Sequence, residues 1–259
     1  MVGPIGLLLP PLTLVTAVLT LPFTLLALPL SDASALFSWP KLRHRWFLHF
    51  WWWFGPATKP FFAPSVVPLL EQAHGKVLDI GPASGIWMSD LGKAAAATGK
   101  IEKIYGVEPN VLFHKQLKAG AKKAGLEDRY EPIAAYAQDL ESRGIKKGSI
   151  DTIITVHVLC SVGSHAPGIV KELYEYLKPG GLWLVYEHVA ARNVPVKSWQ
   201  YLHNLVWPYV LDGCSITEDT GALLARAGAW ESVEIGPDPR EGPLDSLPHV
   251  MGTMVKKRA

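Results

Sequence analysis

A glycine-bearing turn, Gly81-Pro82-Ala83-Ser84-Gly85, follows directly on a short apolar run, KVLDIG at 76–81. In such a turn Gly81 and Gly85 let the backbone approach a ligand closely, and amides at the start of the next helix offer donors to its polar groups. Glu108 stands 27 positions after Gly81, near the end of a second apolar run, KIYGVEPN at 103–110. A carboxylate there can accept both hydroxyls of a ribose. A dinucleotide site normally adds a third glycine and turns loop amides toward a pyrophosphate. Here the spaced positions are Gly81, Ala83 and Gly85, and Pro82 removes a donor. The loop suits a nucleoside ligand without a pyrophosphate, and S-adenosyl-L-methionine is one.

Other side chains gather around the same chemistry. Asp79 precedes the turn and is expected to anchor it by accepting amide hydrogen bonds, or else to be a buried carboxylate without ligand contact. Thr155 and His157 end a β-branched run, SIDTIITVHVLCSV at 149–162, and His188 ends KPGGLWLVYEHV at 178–189. Thr155 is a cofactor-side candidate. His157 and His188 are candidate general bases, against the plainer reading of hydrogen-bonded core or rim residues. Trp199 and Tyr201 begin the segment that follows and would suit an apolar acceptor, while Asp212, before Gly213, is either a turn residue or a pocket residue. Cys160 and Cys214 are the only cysteines, far apart and without a Cys/His cluster of metal-ligand spacing. They argue against a disulfide framework, no metal site is expected, and a reducing compartment is implied.

The elements that must position these residues alternate: apolar strands at 76–81, 103–110, 149–162 and 178–189 are separated by helical segments such as 86–97 and the amphipathic 169–177. That alternation predicts an α/β fold, a parallel sheet with helices on both faces, whose ligands bind at the carboxyl ends of the strands. With 259 residues the chain has room for one such domain and an appendage. Its 25 basic and 23 acidic residues leave a net charge of +2 with no large basic face, so no nucleic-acid partner is expected.

The appendage is the amino terminus. From Val2 to Ser31 there is no charged side chain, and the run is long enough for a helix to cross a hydrocarbon core; Pro4, Pro10, Pro11, Pro22 and Pro29 leave a kinked span or a re-entrant hairpin open. A cleaved signal peptide lacks its basic leading region here, and a buried core helix is the other alternative. Lys41, Arg43 and Arg45, followed by Trp46, Trp51, Trp52 and Trp53, fit the cytoplasmic flank and headgroup layer of a membrane, unless the aromatics pack on the globular part. The expected organisation is an apolar membrane anchor at 1–31, a basic and Trp-rich interfacial connector at 32–71, and the catalytic domain at 72–259.

Over about 72–259 the sequence resembles the class I S-adenosylmethionine-dependent methyltransferases, through VLDIGPASG, GVEPN, IDTIITVHVLCSV and LKPGGLWLVYEH in that order. More closely it resembles the membrane-anchored thiol methyltransferases, the methyltransferase-like seven group of endoplasmic reticulum and lipid droplets, through VLCSV, KPGG with EHVA, WQ at 199–200 and DGCSIT at 212–217. It departs from that group at Ala83, where glycine is usual, and at Glu108, where aspartate is usual. The resemblance implies a Rossmann-like class I methyltransferase sheet behind an amino-terminal hydrophobic membrane segment. It implies S-adenosyl-L-methionine held by Asp79, Gly81, Ala83, Gly85, Glu108 and Thr155, and a small lipophilic acceptor, best a thiol. An oxygen or nitrogen acceptor on a lipophilic metabolite, or a non-enzymatic membrane scaffold, are the alternatives. Membrane attachment at the endoplasmic reticulum or a lipid droplet, with the catalytic domain in the cytosol, completes the expectation.

Overall fold

A computed structural model describes residues 3–258. Seven strands form one sheet: β1 (Gly75–Ile80), β2 (Ile101–Val107), β3 (Tyr130–Ile133), β4 (Ile150–Val156), β5 (Leu177–His188), β6 (Trp230–Pro237) and β7 (His249–Lys256). Their order is β3-β2-β1-β4-β5-β7-β6. β1 to β5 pair in parallel, and β7 runs antiparallel to both β5 and β6. The parallel sheet expected from the sequence therefore ends in an antiparallel edge. There the chain leaves β6, turns through 238–248 and returns as β7 between β5 and β6, so that no crossover helix is needed. Strand order reverses between β1 and β4, the place where open α/β sheets open a crevice for ligands.

Strand side chains alternate between two cores, as a period of two requires. Trp183 and Val185 of β5 enter one, with Val170, Leu173 and Tyr176 of α5 (Ala166–Tyr176) and Leu224 of α8 (Thr220–Ala225). Leu184 and Tyr186 enter the other, with Leu91 of α3 (Met88–Thr98) and Leu117 of α4 (His114–Lys123). The left-handed Gly99, at φ +63°, ends α3, a conformation that costs glycine least.

Two helices precede the sheet. α1 (Leu9–Ser31) belongs to an apolar stretch, Gly6–Ser31, with mean hydropathy 2.0 and only 22% of its most apolar window buried, a candidate membrane span by length and composition. The first two residues of the expected anchor lie outside the described residues. The expected connector is a short 3-10 turn at Ala33–Phe37 followed by one long helix, α2 (Trp39–Leu70), that continues through Pro56, Pro60, Pro64 and Pro68. Their four-residue spacing sets the missing amide donors along one stripe of the helix. The carboxyl end of α2 is part of the domain core, where Val66, Leu69 and Leu70 pack under β1. Its amino half meets α1 and α7 (Trp207–Val210) in a third cluster of Ala17, Trp46, Phe50, Trp207 and Val210. The Trp46 indole donates to the carbonyl of Ala17 at 2.8 Å. Of the five connector tryptophans, Trp46 and Trp51 pack inward and Trp39, Trp52 and Trp53 are exposed.

Candidate active site

The glycine turn lies at the carboxyl end of β1 and is shaped by its neighbours. Gly81 has φ +62°, its amide donates to Val107 O at 2.9 Å, and a Cβ there would stand 2.4 Å from Val158 Cγ2. Gly85, at φ +72°, closes the turn by donating to Pro82 O at 2.8 Å. The amide of Ala83 donates to Glu108 Oε2 at 2.9 Å, and that of Asn110 to Glu108 Oε1 at 2.8 Å. Glu108 therefore clasps the turn from the end of β2. Each of its oxygens keeps a lone pair for a further donor, the set that two vicinal ribose hydroxyls would use. Burial pushes its pKa up to about 7, against the two amides that favour the charged form.

Asp79 does not take the loop amides expected of it. Its position on β1 faces Gly106 on β2, over which the Tyr130 ring passes, and the loop's donors reach Val107, Pro82 and Glu108 instead. Burial pushes Asp79 up to about 7 as well; the Tyr130 hydroxyl beside it opposes the shift without forming a well-aligned hydrogen bond. Thr155 is also corrected. It is fully buried and its hydroxyl accepts the Trp183 indole N–H at 3.0 Å, so its side chain faces the core and offers a ligand nothing.

Asp212 occupies a turn with φ +49° and reaches the cofactor side of the sheet, where its charge helps to raise Glu108. Arg43 of α2 lies 2.8 Å from Asp212 Oδ1, an ion pair without hydrogen-bond alignment, and Asn110 Nδ2 donates to His44 O at 3.2 Å. The amino half of α2 thus closes over the region of Glu108. Trp199, on α6 (Val194–Asn204), points toward the amino terminus and donates to Leu7 O at 2.9 Å. Tyr201 is exposed on the same helix. Neither joins the histidines at the strand ends.

His157 and His188 do come together, and they bring a third histidine that the sequence reading passed over. His249 begins β7 directly opposite His188 in the antiparallel register. The ring of His157 stacks on His188 with centroids 4.6 Å apart and packs 4.9 Å from His249. Burial holds both His157 and His188 well below the ordinary histidine pKa and brings His249 down to about 3, so all three rings are neutral. Phe62 of α2 stands edge-on to His157 and His249, and Tyr186 stacks on His249. The signal that could have found His249 is its place at a strand start, legible only once β7 is known to pair with β5.

The loop after β4 is held from β5. Glu187 accepts the amides of Val158 and Leu159 at 3.1 Å, and burial pushes its pKa up to about 8. Cys160 in this loop has its Sγ 3.2 Å from that of Cys214, both free thiols. Among the described residues three non-glycine residues adopt left-handed backbone: Ala83 (φ +48°), His157 (φ +56°) and Asp212 (φ +49°). All three sit around this one edge of the sheet, and strain of this kind concentrates where a site over-determines the backbone.

A sheet in the order 3-2-1-4-5-7-6, with a glycine turn and an acid at the ends of its first two strands, defines the class I methyltransferases. The chain belongs to the methyltransferase-domain family, whose model matches residues 54–213, and is an S-adenosylmethionine-dependent methyltransferase. It is similar to the thiol S-methyltransferase TMT1B of Homo sapiens, 29% identical over 263 residues that cover 96% of this chain and 99% of that protein. It is also similar to the thiol S-methyltransferase TMT1A of Homo sapiens, 27% identical over 197 residues, or 70% of this chain and 79% of that one. Among solved structures, the fold matches the apo form of the S-adenosylmethionine-dependent methyltransferase SibL with a TM-score of 0.56 at 20% identity. That match covers 84% of this chain and 59% of the other, so the chain spans a little over half the length of that structure.

Proposed function

We propose that the protein transfers a methyl group to a small lipophilic thiol at a membrane surface. The observation that carries this reading is similarity to a thiol S-methyltransferase along nearly the whole chain, the apolar amino terminus included. The site's chemistry agrees. Bound S-adenosyl-L-methionine supplies an electrophilic methyl on a sulfonium. Glu108 would take the ribose hydroxyls on its free lone pairs, and the turn at Gly81, Ala83 and Gly85 would lie against the nucleoside. Asp79, too far inside to clasp the turn, would act on the ligand only through intervening groups. At the ends of β4 and β5 the lining is aromatic and uncharged: His157, His188, His249, Phe62 and Tyr186. A thiol, with an ordinary pKa of about 8.5, needs less help to ionise than an alcohol would. Neutral imidazoles at His157 or His188 accept the thiol's hydrogen bond, and a thiolate forming beside either ring raises that ring's hold on the proton. Phe62, on the carboxyl half of α2, packs over this edge, and excluding water favours an in-line displacement.

Membrane attachment rests on α1 and its surroundings. Leu19, Leu26 and Leu30 are exposed on α1, and Leu202, Leu205 and Tyr209 are exposed on the adjoining 194–210 region. So many exposed apolar side chains on adjoining helices are unusual for a protein bathed in water alone. The basic flank of Lys41, Arg43 and Arg45 favours a catalytic domain on the cytosolic side; the endoplasmic reticulum or a lipid droplet is the placement that the resemblance to the membrane-anchored thiol methyltransferases implies, and the division into anchor 1–31, connector 32–71 and catalytic domain 72–259 belongs to the same reading.

Detergent-purified full-length protein incubated with methyl-labelled S-adenosyl-L-methionine and a panel of lipophilic thiols, phenols and amines tests the acceptor class. Label on thiols, lost in Glu108→Ala, is the expected result. Label confined to phenols or amines would replace the thiol, and absence of both transfer and cofactor binding would favour the scaffold reading.

A further inference from the structure

We propose that His157, His188 and His249 form a three-nitrogen site for one divalent transition-metal ion, with zinc the best match to the ligand set. One ring nitrogen from each lies within 4.8 Å of the other two. Each ring also carries a buried nitrogen without a hydrogen-bond partner: Nε2 of His157, Nδ1 of His188 and Nε2 of His249. A buried polar group without a partner destabilises the fold. Three of them in one cluster are an arrangement that a shared ligand would relieve.

The supports of the cluster are those of a ligand set. The backbone fixes all three residues. His157 sits in left-handed conformation, with its amide donating to Tyr186 O at 2.9 Å, while His188 and His249 are register partners on β5 and β7. Glu241 engages His249 twice, through the ring Nδ1 and through the backbone amide at 2.8 Å. An ionised Glu241 would accept the Nδ1 proton of His249 and leave Nε2 with its lone pair directed away from the carboxylate, the second-layer arrangement common at metal-bound histidines. Phe62 and Tyr186 wall the cluster with apolar surface. Three neutral imidazoles with no thiolate or carboxylate among them suit zinc and its neighbours in the first transition row, and three-histidine zinc sites keep a fourth position open.

The geometry also states what must move. Zinc–nitrogen bonds of about 2.0–2.1 Å hold tetrahedral ligand nitrogens roughly 3.3 Å apart. The 4.8 Å span therefore has to contract. The rings of His157 and His188 are within 13° of parallel and cannot both point at one ion, so binding requires one of them to turn about χ2. The open position would face the acceptor. On the thiol reading of the function, on which this role depends, the ion would replace the free imidazoles as the group that ionises the thiol: the acceptor's sulfur would bind there as thiolate with its proton released to solvent, since a coordinating thiol is deprotonated outright.

The test uses full-length protein in detergent, stripped with a chelator and titrated with Co2+ as a spectroscopic substitute for Zn2+. One equivalent per chain is expected, with the intense visible bands of a four- or five-coordinate ion, displaced by Zn2+. His188→Ala and His249→Ala should abolish these bands, and His74→Ala should leave them. Glu241→Gln, which keeps all three ligands, should weaken binding by about 10–100-fold. Thermal unfolding of each variant separates loss of the site from loss of the fold. Bands that persist in His188→Ala and His249→Ala, or no stoichiometric binding by protein that binds S-adenosyl-L-methionine, would overturn the site. Stoichiometric binding without thiol methylation would keep the site and remove the thiol role. Full thiol methylation by protein free of metal would do the reverse, leaving the acceptor class intact and the ion without a part in it.

Discussion

Replacing Glu108 by glutamine should strengthen the fold and weaken cofactor binding at the same time. Burial raises this carboxyl from 4.5 to about 7, which corresponds to roughly 3 kcal/mol at about 1.4 kcal/mol per pKa unit. The sign follows from proton counting. Between those two values the folded protein holds a proton that the unfolded chain has released, so stability is fully present below pH 4.5 and is lost as pH rises to about 7. A glutamine carries no charge to bury, but its amide nitrogen can no longer accept one of the two amides now bound, from Ala83 and Asn110, at a cost of about 1 kcal/mol. At pH 8 the variant should therefore be more stable by about 2 kcal/mol in urea unfolding, an advantage that disappears by pH 5. Affinity for S-adenosyl-L-methionine should behave oppositely. Ribose hydroxyls favour the carboxylate, so wild-type affinity should fall by up to tenfold per unit as pH drops below about 7, while the weaker affinity of Glu108→Gln stays flat. Calorimetric titration and urea unfolding at matched pH values read both effects. Parallel stability curves for the two proteins from pH 5 to 8 would refute the reasoning, because the shift would then not reside on Glu108.

Ala83→Gly should raise the melting temperature. Left-handed backbone costs an alanine roughly 1–2 kcal/mol, partly offset by about 0.4–1 kcal/mol of extra unfolded-state entropy for glycine, and a net gain near 1 kcal/mol is about 2–4 °C in a scanning experiment. Leu70→Ala should cost about 2–5 kcal/mol in chemical denaturation, since this fully buried side chain makes the end of α2 part of the sheet's core. The neighbouring Cys214 thiol and burial hold the Cys160 thiol well above its ordinary pKa, so iodoacetamide at pH 8 should alkylate Cys160 at least about tenfold more slowly in folded than in unfolded protein, as read by peptide mass mapping. Deleting residues 1–31 should release the protein from the membrane in cell fractionation, into aggregate as much as the soluble fraction because Trp46 and Phe50 are bared, and retention on the membrane would place the attachment elsewhere.

The placement of the glycine turn and of the acid beside it was legible because it is local. Gly81, Gly85 and Glu108 are each a residue type at a strand end, and the apolar runs that mark β1, β2, β4 and β5 are short and β-branched. What depended on the antiparallel edge was not legible. β6 and β7 carry mixed patterns, and His249 meets His188 only because β7 inserts beside β5. Thr155 was misplaced for a related reason: a two-residue period says that it and His157 share a face, but at His157 the backbone turns left-handed and the alternation stops. The helical form of 39–70 was not legible because four prolines in thirteen residues ordinarily argue against a helix, and α2 runs through them with the missing donors in one stripe.

The course of α2 has a practical result for anyone wishing to handle the enzyme without detergent. Its 32 residues span about 48 Å at 1.5 Å per residue, from the apolar cluster around Trp46 to the core beneath β1. A cut that removes it discards Val66, Leu69 and Leu70 from the core and Arg43 from Asp212. A cut after Ser31 spares both but strips Ala17 from Trp46 and Phe50, leaving a bare aromatic face and an indole N–H without its carbonyl. A water-soluble form therefore calls for repainting that face with polar side chains; trimming the terminus alone exchanges one greasy surface for another.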